Sequence, residues 1–318
     1  MSAVDLARRA TADPLLRLLA HGFATTYRRP PGAVWRAPYA FRLAASAVDP
    51  AAPLTAATPR TDWVAAANWY VAAAVSPRAD GLLRCGSLNH PAESAELPLT
   101  GPAARAPGWA ARPYAVLRAL AAAGFGRGGA DLHVNATLPD AVGLPVAEPL
   151  ECAVALALAD VHAARGARPL PRGQLAELLG AVPGDHGLRR AVLFGRTGQL
   201  LAADGSARRP LPAPDGGPAP CLLLLTARTA TGGDTGDTGA AAAAVATGLA
   251  GAVREALRAG ARSACWPGTR PGRSVLLLLP PDRRAAVRTA VIDAFRRCDL
   301  PVPRLLRIAV TAAARREN

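Results

Sequence analysis

The longest apolar periodicity in the chain lies between Leu138 and Arg165. Leu150, Ala153, Val154, Ala157, Leu158 and Val161 recur at three- and four-residue spacing, the stripe of a helix that faces a core. Ahead of it runs a loop with one glycine, Gly143, between Pro139 and Pro145. A glycine-bearing loop that opens a helix presents backbone N–H groups at the positive end of the helix dipole, the usual place for a phosphate. Upstream, the pattern predicts a helix within residues 1–30 (Leu6, Leu15, Leu18, Leu19, Phe23, Tyr27), closed by Pro30-Pro31-Gly32. Strands follow at Ala33–Pro38, which leads into a turn, then at Trp63–Ala67, Tyr70–Val75 and Gly81–Cys85, with a short one at Ala95–Leu99.

Trp109–Ala123 reads as a helix with Tyr114, Leu117 and Leu120 on one side, and Ala130–Ala136 alternates like a strand. Past the long helix, the chain predicts a helix near Gly173–Leu179, paired short strands within 187–203, and a Pro- and Gly-rich loop over 204–219. The remainder reads as strand Cys221–Leu225, loop 231–239, helix Ala240–Ala259, strand Ser274–Leu279, helix Pro281–Cys298 and strand Leu305–Val310. Strand, helix, strand, helix, strand predicts helices on one face of a largely antiparallel sheet. A boundary near 205–220 separates this layer from a mixed first half.

The 318 residues are 51% apolar, enough for one large core or two ordinary domains. The formal charge of +14 comes from arginines scattered singly and in pairs, such as Arg28-Arg29 and Arg315-Arg316. No run of four arginines occurs, so the charge reads as a solvated surface, and a nucleic-acid partner is not expected. A basic nucleic-acid-binding α/β protein stays open as an alternative, and requires the arginines to converge on one face. The five cysteines form no CxxC, which argues against a zinc site or a disulfide framework; Cys152 and Cys221 are expected to be buried. The N-terminus lacks the apolar core of a signal peptide, and the apolar runs 221–225 and 275–279 are too short to span a bilayer. A cytoplasmic setting with no membrane partner is the expectation.

Several segments resemble the galactokinases, members of the GHMP small-molecule kinases. Trp35-Arg36-Ala37-Pro38 looks like the entry to the family's first motif, and residues 108–120 and 129–134 resemble the segment before its phosphate loop. Residues 138–151, LPDAVGLPVAEPLE, are similar in register to the family's VPLGAGLSSSAALE, and residues 264–283 resemble its third motif and the strand after it. The resemblance implies a two-domain α+β GHMP-kinase-like fold. Residues 1–210 would form a ribosomal-protein-S5-domain-2-like domain and 211–318 a ferredoxin-like domain. It also implies a sugar and ATP as ligands and ATP with Mg²⁺ as cofactors.

The motifs depart from the family at the chemistry. Ala40 stands where the family has an arginine, and Ser46 and Ala47 replace its Glu and His, while Asp49 keeps the residue type that binds sugar hydroxyls. Arg42, two residues on, is the candidate to fill the vacancy at Ala40. Pro145, Val146 and Ala147 replace the three serines, and Glu148 puts a negative charge where a phosphate would lie. Alignment on Leu193-Phe194-Gly195-Arg196 puts Leu188 at the catalytic aspartate position, with Asp185 three residues before it. In the third motif Gly268 and Gly272 remain, beside Arg270 and Arg273. The resemblance thus implies Asp185 and Arg42 as catalytic candidates, Asp49 as sugar-binding, and Gly143, Gly268, Arg270 and Gly272 as nucleotide-binding, with no protein metal ligand. The expected function is a galactokinase-like protein with impaired catalysis and a residual sugar- or ATP-binding or regulatory role. The alternative is a divergent galactokinase that transfers the ATP γ-phosphoryl group to galactose or a related sugar.

Overall fold

The computed structural model describes residues 11–44, 62–139, 142–164, 166, 169–211, 220–228, 238–269 and 272–317. The first sheet holds β1 (Ala33–Leu43), β2 (Trp63–Pro77), β3 (Leu82–Ser87), β4 (Ala95–Pro98) and β5 (Gly129–Ala136). Its order is β12-β1-β2-β5-β3-β4, where β12 is Arg315–Glu317. A further ribbon, β6 (Gln199–Ala202) and β7 (Arg208–Pro210), pairs with the start of β2. Among the described residues only β3 and β5 pair in parallel.

Helix α1 (Pro14–Tyr27) covers one face of this sheet through Leu16, Leu19, Ala20 and Phe23, against Val34, Ala72 and Ala74. Asp13 caps it by accepting the Leu15 N–H at 2.9 Å. On the opposite face lie α3 (Ala147–Ala163) and α5 (His186–Phe194), against β1 and β2. Helix α2 (Ala111–Ala122) packs on α3, and α4 (Arg172–Gly180) packs on α5. All six residues of the predicted α3 stripe are buried in the main core. The helix is buried on its other sides too, Cys152 and Ala155 included, because sheet, α2 and α5 surround it.

The second sheet has the order β11-β8-β10-β9, all antiparallel. It comprises β8 (Cys221–Thr226), β9 (Ser263–Cys265), β10 (Ser274–Leu279) and β11 (Arg304–Ile308), with α6 (Thr238–Arg258) and α7 (Arg284–Arg297) packed on it. The unbroken leucine runs of β8 and β10 follow from burial on both faces. Leu223, Leu225, Leu277 and Leu279 pack with Ala252, Val291 and Phe295 of the helices. Leu222, Leu224, Leu276 and Leu278 face the other way and join the core of the first sheet. At about 1.5–3 kcal/mol for each buried leucine, this shared layer holds the two halves together.

Several predicted elements change. Strand β1 does not turn at Pro38 but continues to Leu43, with a register shift between Pro38 and Ala40. A bulge tolerates a proline, which has no N–H to donate. Trp63–Pro77 is one strand rather than two. The predicted paired strands of 187–203 are helix α5 followed by β6: Asp185 caps the helix, and Leu188, Ala191 and Val192 fall on its buried face. Strand β7 lies inside the predicted 204–219 loop, and β9 and β12 were not expected. The sheet-forming tail Arg315–Glu317 belongs to the first sheet although it follows the second in sequence. Residues 231–237 of the predicted loop lie outside the described residues, and α6 starts at Thr238.

Candidate functional site

The loop ahead of α3 is fixed by its contact with the second sheet. Gly143 has φ +75°, and a Cβ there would lie 2.4 Å from the Ser274 Oγ. The neighbouring Val142 carbonyl accepts from Ser274 Oγ at 2.6 Å and Thr226 Oγ1 at 3.0 Å, both buried. The glycine is therefore needed for a left-handed backbone and for close approach to β10. Val146, at the cap position before α3, gives no side-chain hydrogen bond, and Pro149 in the first turn has no N–H.

The first turns of α3 carry Glu148, 5% exposed, and Glu151, fully buried. Carboxylates at a helix N-terminus are favoured by the dipole but must be matched when buried. Arg112 of α2 supplies much of the match, with Nη2 2.9 Å from Glu148 Oε1 and Nε 2.7 Å from Glu151 Oε1. Arg189 of α5, 2% exposed, donates Nε to Glu151 Oε2 at 2.8 Å. Its Nη1 donates to the carbonyls of Leu179 and Val182, and its Nη2 to that of Pro183. Burial pushes the Glu151 carboxyl above its ordinary range, with the two arginines pulling the other way.

Next to this pair stands Asp185. Its backbone N–H donates to Glu148 Oε1 at 3.2 Å, and its carboxylate accepts the Leu188 N–H at 3.0 Å. Arg42, near the end of β1, donates Nε and Nη2 to the two Asp185 oxygens, each at 2.7 Å. Arg42 also reaches Asp62 at 3.1 Å. Burial raises the Asp185 carboxyl, but the Arg42 hydrogen bonds, the Leu188 N–H and the Arg42 charge outweigh it and hold the group below the ordinary Asp value. The Arg42 guanidinium is raised in turn, chiefly by the Asp185 hydrogen bonds.

These groups border a cavity of about 620 Å³, lined by Arg112, Glu148, Glu151, Gly184, Asp185 and Thr269 among others. A smaller pocket of about 180 Å³ also has Arg112 in its wall, with Val71, Val134, Trp109, Val146 and Leu150. The sequence-named residues divide accordingly. Arg42 and Asp185 come together. Gly143 lies in the loop before α3 and Gly268 borders it, since a Cβ on Gly268 would lie 3.4 Å from Pro145 Cγ. The third-motif loop also meets β1, with the Arg42 N–H donating to the Pro267 carbonyl at 2.9 Å. Gly272 is exposed and faces open space. Asp49 and Arg270 lie outside the described residues. Sequence reading missed Arg112, Glu151 and Arg189 as a network. The available signal was two glutamates three residues apart at the start of a helix with a long apolar middle, which need cations from elsewhere in the fold.

No helix among the described residues is long and apolar enough to cross a membrane. No family model matches the chain. The galactokinase of Streptomyces coelicolor is 43% identical over 95 residues, 29% of this chain and 24% of that protein. The chain thus spans about a quarter of the curated relative it matches. Among solved structures, the Lactococcus lactis galactokinase in complex with galactose superimposes with a TM-score of 0.67 at 14% identity, covering 95% of this chain and 99% of that one. A putative sugar kinase from Campylobacter jejuni gives a TM-score of 0.57 at 15% identity over 90% and 98% of the two chains. The Methanococcus jannaschii mevalonate kinase gives 0.52 at 9% over 87% and 98%. Kinases of different small molecules share this arrangement of two sheets and their helices, and the chain has the two-domain α+β fold of the GHMP small-molecule kinases.

Proposed function

We propose that this chain is a galactokinase-like protein with impaired phosphoryl transfer, and that it keeps a ligand-binding role in the cavity bordered by α2, α3 and the start of α5. One observation carries the reading: the start of α3 is filled by the chain's own Glu148, paired with Arg112 and bonded to the Asp185 N–H. Phosphoryl transfer rests on positioning and on stabilising negative charge. A phosphate placed there would meet the Glu148 carboxylate, while the neighbouring Arg112 is already shared between Glu148 and Glu151. Pro145, Val146 and Ala147 offer no hydroxyl, Pro149 offers no N–H, and Glu148 and Glu151 are already paired with arginines. This donor set does not fit a triphosphate with its magnesium.

The Arg42–Asp185 pair favours the second reading, a divergent active sugar kinase. There Asp185, held ionised by Arg42, would accept a proton from a sugar hydroxyl, and Asp49 would contact the sugar. The two readings separate by product analysis. Incubation with ATP–Mg²⁺ and galactose or related hexoses is expected to yield no hexose phosphate by mass spectrometry beyond a protein-free control. Steady accumulation of a hexose phosphate overturns the impaired-catalysis reading.

A further inference from the structure

We infer a second ligand site, on the face of the first sheet opposite the larger cavity, that takes a small amino acid as a zwitterion, its ammonium on Asp13 and its carboxylate on Arg36 and Arg315. The site is a cavity of about 190 Å³ whose lining includes Asp13, Arg36, Asn68, Tyr70, Thr311 and Arg315. Arg36 stands opposite Ala72 in the β1–β2 ladder, and directly paired residues share a face. Ala72 and Tyr70 pack with α1, so the cavity lies beside the start of α1 and away from α3 and α5. The ladder breaks here. The register shift between Pro38 and Ala40 takes Asn68 out of the β1 pairing. Its Oδ1 accepts the Ala309 N–H at 2.8 Å, and the Thr311 N–H donates to the Ala66 carbonyl at 2.9 Å, which fixes the segment between β11 and β12 as a wall.

The cavity carries opposite charges that the chain does not join. Arg36 and Arg315 share one oxygen of Glu317, with Nε 2.6 and 2.9 Å from Oε1, so two cations stand against one carboxylate. Their terminal N–H groups have no acceptor among the described residues. Asp13 spends one oxygen on the Leu15 N–H and joins no ion pair among the described residues. Tyr70 touches both signs of charge. The Arg36 guanidinium lies over its ring, 5.4 Å from the centroid, and the Asp13 carboxylate adjoins its hydroxyl, adding to burial in raising the phenol pKa. A simple anion would gain the arginines but meet Asp13, and a simple cation would gain Asp13 but meet the arginines. A molecule that bears both charges satisfies each wall, and a guanidinium fork suits its carboxylate. The volume lies below the roughly 300–1,000 Å³ of drug-sized sites, which suits an amino acid rather than a nucleotide.

The test is calorimetric titration of the full chain with glycine, β-alanine, γ-aminobutyrate and δ-aminovalerate, whose two charges stand progressively farther apart. Each is run beside the acid that lacks its amine and the amine that lacks its acid. At least one zwitterion is expected to bind at least ten-fold tighter than both of its singly charged counterparts. Asp13→Asn keeps a capping oxygen for α1 and should weaken that zwitterion ten-fold or more while the melting temperature stays near the parent's. Arg36→Gln should weaken it similarly. Glu148→Gln, on the opposite face of the sheet, should leave the affinity unchanged. No binding by any of the four zwitterions overturns the inference, as does an acid or amine that binds as tightly as its zwitterion. A loss confined to Glu148→Gln also overturns it, because the ligand then sits in the larger cavity. None of these outcomes depends on hexose phosphate formation, so this inference and the proposed function fail separately.

Discussion

Arg42 on β1 and Asp185 at the N-terminus of α5 meet in a two-pronged ion pair, 2.7 Å on each prong. Residues 143 positions apart in sequence thus fix the end of β1 against the start of α5, beside the larger cavity. The same carboxylate caps the helix, so Asp185 joins local and long-range order.

Asp185→Ala removes a cap and leaves a half-buried guanidinium without its partner. The expected cost is about 2–4 kcal/mol, read from urea unfolding. Asp185→Asn keeps a capping oxygen and should cost less. The folded Asp185 pKa lies below its unfolded value, so its contribution is full above about pH 4. It is lost as pH falls through the folded pKa, and the gap between the parent and Asp185→Asn should close over that range. A gap that widens on acidification contradicts the pairing.

Gly143→Ala meets two obstacles, a positive φ and the Ser274 hydroxyl 2.4 Å from the new methyl. A loss of about 1–3 kcal/mol is expected. Ser274→Ala removes the hydroxyl and so relieves part of the clash. The two changes should therefore combine less than additively in a thermal-melt double-mutant cycle. Full additivity would show that the loop does not rest on β10.

Arg189→Ala strands the fully buried Glu151 with only Arg112, and frees three carbonyls from their donor. About 3–5 kcal/mol should be lost in chemical denaturation. Arg189→Met paired with Glu151→Leu removes both charges and should recover much of it. Failure of the double variant to exceed the single one would argue against an uncompensated carboxylate as the cause.

His133 on β5 is buried beneath α1, edge-on to Tyr27, and neither ring nitrogen has a hydrogen-bond partner among the described residues. Burial lowers its pKa. Below about pH 6.5 the unfolded chain takes up a proton that the folded chain refuses, so stability falls with pH toward the folded pKa. The slope is worth about 1.4 kcal/mol for each unit of pKa difference. His133→Leu should flatten the stability profile between pH 7 and 5, and an unchanged slope places the titration elsewhere.

Where one physical cause dominates, the sequence is legible. The α3 stripe and the leucine runs of β8 and β10 are visible because burial alone sets their pattern. Helix α5 is hard to see in the sequence because Leu193-Phe194 beside Gly195 and Gly198 imitates a hairpin, while its cap Asp185 and a buried Arg189 hide the helical face. Strand β12 is three residues long, and only its partner β1 makes it a strand. At the site, Arg42 and Asp185 are both visible as candidates, but nothing in the spacing pairs them. The Glu148–Arg112 pair was equally hidden, because the fold brings α2 to the start of α3.

On the proposed reading, Glu148 and its partners occupy the place where a phosphate would lie. The most direct measurement is the initial rate of γ-phosphoryl transfer from labelled ATP–Mg²⁺ to galactose at saturating concentrations of both. Kinases commonly turn over at about 1–100 s⁻¹. The predicted rate for this chain lies at least about four orders of magnitude below that range, and a turnover within about ten-fold of 1 s⁻¹ would contradict it.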